Sequence, residues 1–191
     1  MSSLLKIVVC LAGPYKDVIK LAHMAKNNGW DVQVLLTSNA AKAFKDEKLI
    51  GPLEIVTGNP VSYELEPRDR RASSPKLARH AAIVALASLN TISKLAMGMC
   101  DNYATTAVQG LVGEKNNGKK GVAIALCPFV NTNLAAHPMF EPNIAALKRQ
   151  LVHVVDRVPH ESGGDTDCTQ LWADALGAVE LELGKPSSDA K

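Results

Sequence analysis

Four predominantly apolar segments restrict the fold of this chain more than any other feature. They are residues 4 to 11, 30 to 36, 81 to 87 and 122 to 126, and all but 30 to 36, which contains Asp31 and Gln33, are apolar almost without interruption. A continuous apolar run, unlike an alternating one, is typical of a parallel strand covered on both faces. Apolar residues at helical spacing, such as Val18, Leu21 and Ala25, lie between the first two runs. The pattern therefore predicts strands alternating with helices.

Shorter apolar segments extend this alternation along the chain. We predict further strands at residues 53 to 57 and 151 to 155. The predicted helices cover residues 39 to 45, 91 to 99, 103 to 112, 142 to 150 and 169 to 183. Alternation of this kind predicts an α/β fold: a doubly wound, Rossmann-like (flavodoxin-like) parallel sheet with helices on both faces. We expect a single domain over residues 1 to 183 and a disordered tail over 184 to 191.

Composition excludes several classes of function. The formal net charge of +2 on 191 residues gives no electrostatic basis for binding nucleic acid or an acidic membrane. No apolar stretch is long enough to span a bilayer, and residues 1 to 13 are interpreted as a first core strand, not a signal peptide. The four cysteines are widely spaced, without a metal-ligand pair. We therefore expect no metal site, and mostly buried thiols in a reducing, cytoplasmic compartment.

Ligands of such sheets bind beyond the carboxyl ends of the strands. The first loop to inspect has small residues at Gly13-Pro14 before a predicted helix, where a phosphate would find free N–H groups. The second loop opens a helix with Thr37-Ser38, which favours either ordinary N-capping or phosphate binding. A tight turn explains the first loop equally well. Both loops are candidate cofactor-binding segments.

The third loop has the richest set of polar side chains. The buried strand at 81 to 87 is followed by Ser88, Asn90 and Thr91, and one helix cap would explain only one of them. Asn90 offers both a donor and an acceptor, which suits the polar edge of an isoalloxazine ring. Asp101-Asn102 lies at a helix break, where it either caps the next helix or binds a ligand. The fourth loop, residues 128 to 138, contains Asn131, for which Asx turns are the alternative.

Taken in order, these segments resemble the homo-oligomeric flavin-containing cysteine decarboxylases, which include phosphopantothenoylcysteine and lantibiotic peptidyl-cysteine decarboxylases. The family motif PASANT is similar to residues 86 to 91, and the pattern after it is matched at Lys94, Gly98, Asp101 and Asn102. Its PxMNxxMW motif is matched in part at Pro128 and Asn131, and is followed by His137-Pro138. The resemblance covers roughly residues 5 to 150.

This resemblance implies FMN as the cofactor and a substrate with a cysteine-type thiol, either a peptide or a small molecule. It implies that Asn131 holds the substrate carboxylate. Counting back from Asn90 to the position of the family's catalytic histidine gives Ala72, so His80 is the nearest candidate base. Cys168 stands where the family has a substrate clamp, and a helix start favours its thiolate. The alternative there is an exposed loop with a helix cap at Thr166 or Asp167.

The predicted function is FMN-dependent oxidative decarboxylation of a cysteine-containing substrate. The displaced histidine leaves open an FMN-binding protein of another activity, such as a flavin reductase or an accessory protein. A flavin prenyltransferase is a third alternative, for which no basic cluster marks a prenyl phosphate site. The resemblance further implies a homotrimer or a dodecamer with the flavin at a subunit boundary near Asn102 and Tyr103. The apolar faces of the helices at 91 to 99 and 103 to 112 suggest that one of them meets a neighbour.

Overall fold

A computed structural model describes residues 3–64, 78–156, 159–161, 167–184 and 186. Its centre is a sheet of five parallel strands in the order β2-β1-β3-β4-β5. The strands are β1 (Ser3–Val9), β2 (Asp31–Leu36), β3 (Arg79–Ala87), β4 (Val122–Pro128) and β5 (His153–Val154). The predicted doubly wound α/β fold is confirmed. The strand order is the flavodoxin-like one, in which the chain reverses its direction of growth across the sheet at β1 and β3.

Eight α-helices connect and cover the strands in the described part of the chain. They are α1 (Val18–Asn27), α2 (Ser38–Asp46), α3 (Ile50–Thr57), α4 (Leu89–Ala96), α5 (Tyr103–Asn116), α6 (Thr132–Ala135), α7 (Phe140–Arg149) and α8 (Thr169–Leu183). A short 3-10 helix, Tyr15–Asp17, precedes α1. Among the described helices, none is long and apolar enough to cross a membrane.

The two faces of the sheet carry separate hydrophobic clusters. On one face, strand residues such as Leu5 and Ile7 pack with residues of α1, α2, α3 and α8, and both tryptophans are buried there. On the other face, Val8 and Val84 pack with α4, α5 and α7. Strand side chains alternate between the faces, so every central strand must be apolar throughout. The continuous runs in the sequence follow directly from this arrangement.

One predicted strand is wrong. Residues 53 to 57 belong to helix α3, where only Leu53 and Thr57 are buried while Ile55 is 84% exposed. Pro52 lies in the first turn of this helix, where its missing N–H has no intrahelical partner to lose. Gly58 ends the helix with a φ of 72°, the left-handed conformation usual for a C-terminal glycine.

One of the helices α4 and α5 was expected to present its apolar face to a neighbouring subunit, and the structure differs. Ile92 and Leu95 of α4 and Val108 and Leu111 of α5 are all buried in the cluster beneath the sheet. Both helices therefore cover the chain's own sheet, and neither leaves its main apolar face for a neighbour. The polar, proline- and arginine-rich sequence of residues 58 to 76 predicts a surface loop or flap, which lies largely outside the described residues. Most of the loop before Asp167 and most of the predicted disordered tail also lie outside them.

Candidate functional site

A cleft opens at the carboxyl edge of the sheet, above β1, β2 and β3. It encloses about 150 Å³. Its walls come from the ends of three strands and from the beginnings of the helices that follow them. The lining residues are Cys10, Leu11, Thr37, Ser38, Asn39, Ser88, Asn90, Thr91, Lys94, Asp101, Asn102 and Thr105. This is the position at which open parallel sheets bind ligands, because the chain reverses its winding there.

Helix α2 begins at the rim of the cleft. Thr37 is its N-cap, and the Thr37 hydroxyl makes no capping hydrogen bond within the described residues. The Thr37 N–H donates to the Val9 carbonyl at 3.0 Å, which fixes this turn against the end of β1. The first N–H groups of a helix have no intrahelical acceptor, and together with the helix dipole they attract negative charge. Thr37, Ser38 and the start of α2 thus offer donors to an anion.

Helix α4 begins on the opposite wall, after a distorted strand end. The register of β3 against β4 shifts between Val84 and Ala87. Between them, Leu86 has a φ of 55°, which is uncommon and costly for a buried leucine. A proline, with φ fixed near about −65°, could not adopt this conformation, and the chain has Leu86 where the PASANT motif has proline. The distortion delivers Ser88 to the cleft as the N-cap of α4.

Polar side chains around the start of α4 differ in whether the protein provides them with hydrogen-bond partners. Ser88 Oγ accepts from the Thr91 N–H and lies 3.4 Å from Thr91 Oγ1. Asn90 is exposed and bonds to no other described residue through its side chain. Capping therefore accounts for Ser88 and leaves the Asn90 amide available to a ligand.

Helix α5 brings a third N-terminus to the cleft. Asn102 is its N-cap: its Oδ1 accepts from the Thr105 N–H at 3.0 Å, and its own N–H donates to Thr105 Oγ1 at 3.3 Å. Asp101 accepts from Asn102 Nδ2 and is ion-paired with Lys94. Hydrogen bonding from Lys94 lowers the pKa of Asp101, so this carboxylate is ionised at neutral pH. The pair is locally neutral, and the positive ends of three helices remain.

Cys10 forms part of the floor of the cleft. Its thiol is fully buried, and burial raises its pKa to about 11, opposed in part by hydrogen bonds from Thr91 and the Ser88 backbone. Cys10 therefore lines the site as a neutral, weakly polar group and not as a thiolate. Cys10 was not among the predicted site residues, although it begins the first candidate loop, residues 10 to 16.

The loop after β4 lies next to this cleft without lining it. Asn131 is the N-cap of α6, and its Oδ1 accepts from the Leu134 N–H at 2.8 Å. Its Nδ2 has no acceptor within the described ranges. Gly13 and Pro14 also lie outside the lining. Gly13, with φ of 52°, faces Phe129 so closely that a Cβ there would lie 2.0 Å from Phe129 Cε1.

Two predicted catalytic residues are placed away from the cleft. His80 lies near the amino end of β3, opposite Leu4 and Val122, at the far edge of the sheet. Most of the length of β3 therefore separates His80, the nominated base, from the cleft of its own chain. Burial and the nearby Lys6 lower the His80 pKa to about 4, against the opposing effect of Glu114.

Cys168 was predicted at a helix start that favours its thiolate, and the alternative was an exposed loop with a helix cap at Thr166 or Asp167. It does precede α8, but its side chain is fully buried in the cluster that contains Trp172. Such a position disfavours a thiolate. Asp167 provides the predicted cap: its Oδ1 accepts from the Thr169 N–H at 3.0 Å and from the Thr169 hydroxyl at 2.7 Å.

Seven of the nine predicted cofactor-binding residues line the cleft: Thr37, Ser38, Ser88, Asn90, Thr91, Asp101 and Asn102. The additional lining residues are Cys10, Leu11, Asn39, Lys94 and Thr105. Asn39 and Thr105 were detectable as polar neighbours of predicted N-caps. Among the described residues, no group of three or more His, Cys, Asp or Glu side chains is arranged to hold a metal ion.

Comparison with known proteins defines the class to which this fold and cleft belong. The model of the Flavoprotein family matches residues 1–172, so the chain belongs to the Flavoprotein family. A probable phosphopantothenoylcysteine decarboxylase of Streptococcus mutans is 32% identical over 157 residues, covering 75% of this chain and 78% of that protein. A coenzyme A biosynthesis bifunctional protein, CoaBC, of Thermococcus kodakarensis is 28% identical, covering 79% of this chain and 36% of its own length.

Solved structures share the fold at lower identity. The peptidyl-cysteine decarboxylase EpiD is 22% identical with a TM-score of 0.63, covering 94% of this chain and 99% of its own. A phenylacrylic acid decarboxylase from Aquifex aeolicus is 18% identical with a TM-score of 0.67, covering 98% and 99%. These similarities establish the architecture.

Proposed function

We propose that this chain is an FMN-dependent oxidative decarboxylase of a cysteine-containing substrate, either a C-terminal peptidyl cysteine or a phosphopantothenoylcysteine-like molecule. One observation carries the proposal: three helix N-termini and a set of unsatisfied polar side chains meet at the carboxyl edge of the sheet. Membership of the Flavoprotein family and the decarboxylase relatives agree with it. In this proposal the cleft binds the cofactor, and the neighbouring loop after β4 binds the substrate.

The donor set of the cleft fits the polar groups of FMN. The hydroxyls of Thr37 and Ser38 and the free N–H groups of α2 provide donors for the single phosphate. The exposed Asn90 amide provides a donor and an acceptor for the polar edge of the flavin ring. Lys94 is already paired with Asp101, so the helix N-termini supply most of the attraction for the phosphate. Bound FMN would supply the two-electron oxidation of the thiol-bearing carbon.

The substrate carboxylate is assigned to Asn131. Its Oδ1 is held by the Leu134 N–H, which leaves both Nδ2 hydrogens directed by a fixed side chain. A carboxylate bound by a neutral amide keeps its charge without an ion pair. That arrangement favours decarboxylation, because a cation would stabilise the carboxylate more than the transition state in which its charge moves away.

We further propose that the site is completed by a second copy of the chain, in a homotrimer or a multiple of it. The cleft of about 150 Å³ is smaller than the roughly 300–1,000 Å³ typical of sites that bury a drug-sized ligand. Exposed apolar side chains lie on α6 and in the loops that follow β1, α4 and α6: Leu11, Met97, Met99, Leu134 and Met139. A cyclic assembly buries the same two patches on every subunit. Light scattering tests it: a mass of one chain at micromolar concentration contradicts the shared site.

The cofactor is tested by the visible spectrum of the freshly purified protein and by mass identification of the released flavin. Asn90→Ala should weaken FMN binding about 5- to 100-fold, because a polar edge of the buried flavin loses its partner. Asn117→Ala is the matched control, since this exposed residue ends α5 away from the cleft. A colourless protein that does not bind added FMN refutes the proposal, and equal affinities in the two variants remove Asn90 from the site.

Turnover is tested with peptides ending in cysteine and with phosphopantothenoylcysteine, by detecting carbon dioxide release and the mass of the product. A second candidate function, a flavoprotein of another activity such as a flavin reductase, is favoured by the position of His80 far from the cleft. Purified protein that binds FMN and oxidises a reduced nicotinamide, but decarboxylates none of these substrates, would support that candidate instead.

A further inference from the structure

His160 lies beside the proposed substrate-binding residue Asn131. The two residues form an isolated parallel β-bridge, in which the Thr132 N–H donates to the His160 carbonyl at 3.1 Å and the His160 N–H donates to the Val130 carbonyl at 3.3 Å. The imidazole packs on the ring of Phe129, with 4.2 Å between the ring centroids. Phe129 in turn rests on Gly13, in the loop that continues from the cleft-lining Cys10 and Leu11.

The imidazole of His160 contains a polar atom that nothing in the described protein satisfies. Its Nδ1 is shielded from solvent and has no hydrogen-bond partner within the described residues. Leaving such an atom unpaired is unfavourable. An apolar side chain would stack on Phe129 without this cost. An unsatisfied buried polar atom therefore calls for an explanation, and a role in binding a ligand or in a reaction is one.

The other four histidines are poorly placed for a role at Asn131. His80 is at the amino edge of the sheet, and His23 and His153 are exposed on α1 and β5. His137 is in the same loop as Asn131, but it is exposed and its Nδ1 accepts from the Met139 N–H at 3.1 Å. Only His160 combines the backbone bridge to Asn131 with an imidazole nitrogen that is unused inside the protein.

We propose that His160 is the proton-transferring catalytic residue of the decarboxylation site, a role that rests on the proposed function. The imidazole accepts the proton of the substrate S–H group. Bound flavin would be the oxidant that takes up the two electrons and the hydrogen of the adjacent carbon, so that a C=S bond would form. The bond to the carboxylate then breaks, carbon dioxide leaves, and its electron pair moves onto sulfur. The imidazolium returns its proton to that sulfur, so His160 ends the cycle unchanged.

The test compares His160→Gln and His160→Ala with the control His153→Gln, using the FMN-loaded protein and a peptide ending in cysteine. The His160 variants should lose roughly 100- to 10,000-fold in kcat and lose the acid limb of the pH–rate profile. FMN affinity should not change. Added imidazole should restore part of the activity of His160→Ala, a rescue that a merely structural role does not permit. His153→Gln should behave as the wild type.

A second readout does not depend on turnover. In protein labelled with ¹⁵N-histidine, a peptide ending in serine in place of cysteine should shift the His160 Nδ1 resonance and leave that of His153 in place. Decarboxylation within threefold of wild type in both His160 variants, or an unmoved resonance at saturating peptide, overturns the assignment while the proposed function stands. A wild type that binds FMN but decarboxylates no cysteine substrate overturns both.

Discussion

Replacing Gly13 by alanine should destabilise the protein far more than an ordinary substitution of a loop glycine. Gly13 has a φ of 52°, and an added Cβ would lie 2.0 Å from Cε1 and 2.5 Å from Cδ1 and Cζ of Phe129. The phenyl ring is 3% exposed and belongs to the core, so it has little room to move. The substitution therefore combines an unfavourable backbone conformation with the displacement of a buried aromatic ring.

The size of the effect follows from these two contributions. A residue with a Cβ in the left-handed region costs roughly 1–2 kcal/mol, of which the lower entropy of the unfolded chain offsets about 0.4–1 kcal/mol. Partial exposure of the displaced phenyl ring adds about 2 kcal/mol, within the roughly 1.5–3 kcal/mol for a whole buried side chain. We expect Gly13→Ala to lower the free energy of unfolding by about 2–4 kcal/mol, a large share of the roughly 5–15 kcal/mol of a typical domain.

Gly58→Ala is the matched control for the backbone contribution. Gly58 has a similar φ of 72°, and an added Cβ meets no atom within 4 Å. Urea unfolding at fixed chain concentration, followed by the fluorescence of the buried Trp30 and Trp172, gives both free energies. The difference between the two losses of unfolding free energy measures the contribution of the displaced Phe129 ring and should be about 2 kcal/mol. In a Phe129→Ala background the ring is absent, so Gly13→Ala should lower the free energy of unfolding by no more than Gly58→Ala does. Equal destabilisation by the two glycine substitutions refutes the reasoning.

Further predictions concern titratable groups outside the proposed chemistry. The pKa of His80 is lowered from 6.5 to about 4 in the folded protein, so the unfolded chain binds more protons between these values. The stability that neutral His80 confers is complete above about pH 6.5 and is lost as the pH falls towards about 4, an effect on the order of 2 kcal/mol after allowance for its partial exposure. His80→Gln should remove this part of the pH dependence in urea unfolding, and an unchanged pH profile would contradict the shift. Iodoacetamide at about pH 8 should alkylate the exposed Cys100 and spare Cys10, because burial raises the Cys10 pKa to about 11; equal labelling in a peptide map would show that the floor of the cleft opens.

The strands that the sequence predicted correctly share one physical cause. Side chains in the middle of a central parallel strand meet a helix on one face or the other and must be apolar, and β4 and the central parts of β1 and β3 have this property apart from Lys6. The same reasoning failed at residues 53 to 57, because a short, mostly apolar segment of five residues fits a strand and a short helix equally well. The decisive signals were Pro52 and Gly58, which mark the first turn and the end of a helix.

The sequence predicted those residues of the candidate site whose position depends only on which segments are strands. Polar residues that directly follow a buried strand must reach the carboxyl edge, and Thr37, Ser88 and Asn90 do so. His80 does not, because β3 begins at Arg79, earlier than its apolar run, which places the histidine inside the strand at the opposite edge. His160 had no local signal, since its environment is created by Phe129 and Asn131, which lie about thirty residues away in the sequence.

The electrostatics of the cleft arise from the backbone more than from side-chain charge. Lys94 and Asp101 are the charged side chains that line it within the described residues, and they neutralise each other. The N-termini of α2, α4 and α5 each contribute a partial positive charge of about half an elementary charge. The formal net charge of +2 therefore indicates nothing about the ligand, because the groups that would attract the phosphate are peptide N–H groups that no count of lysine and arginine includes.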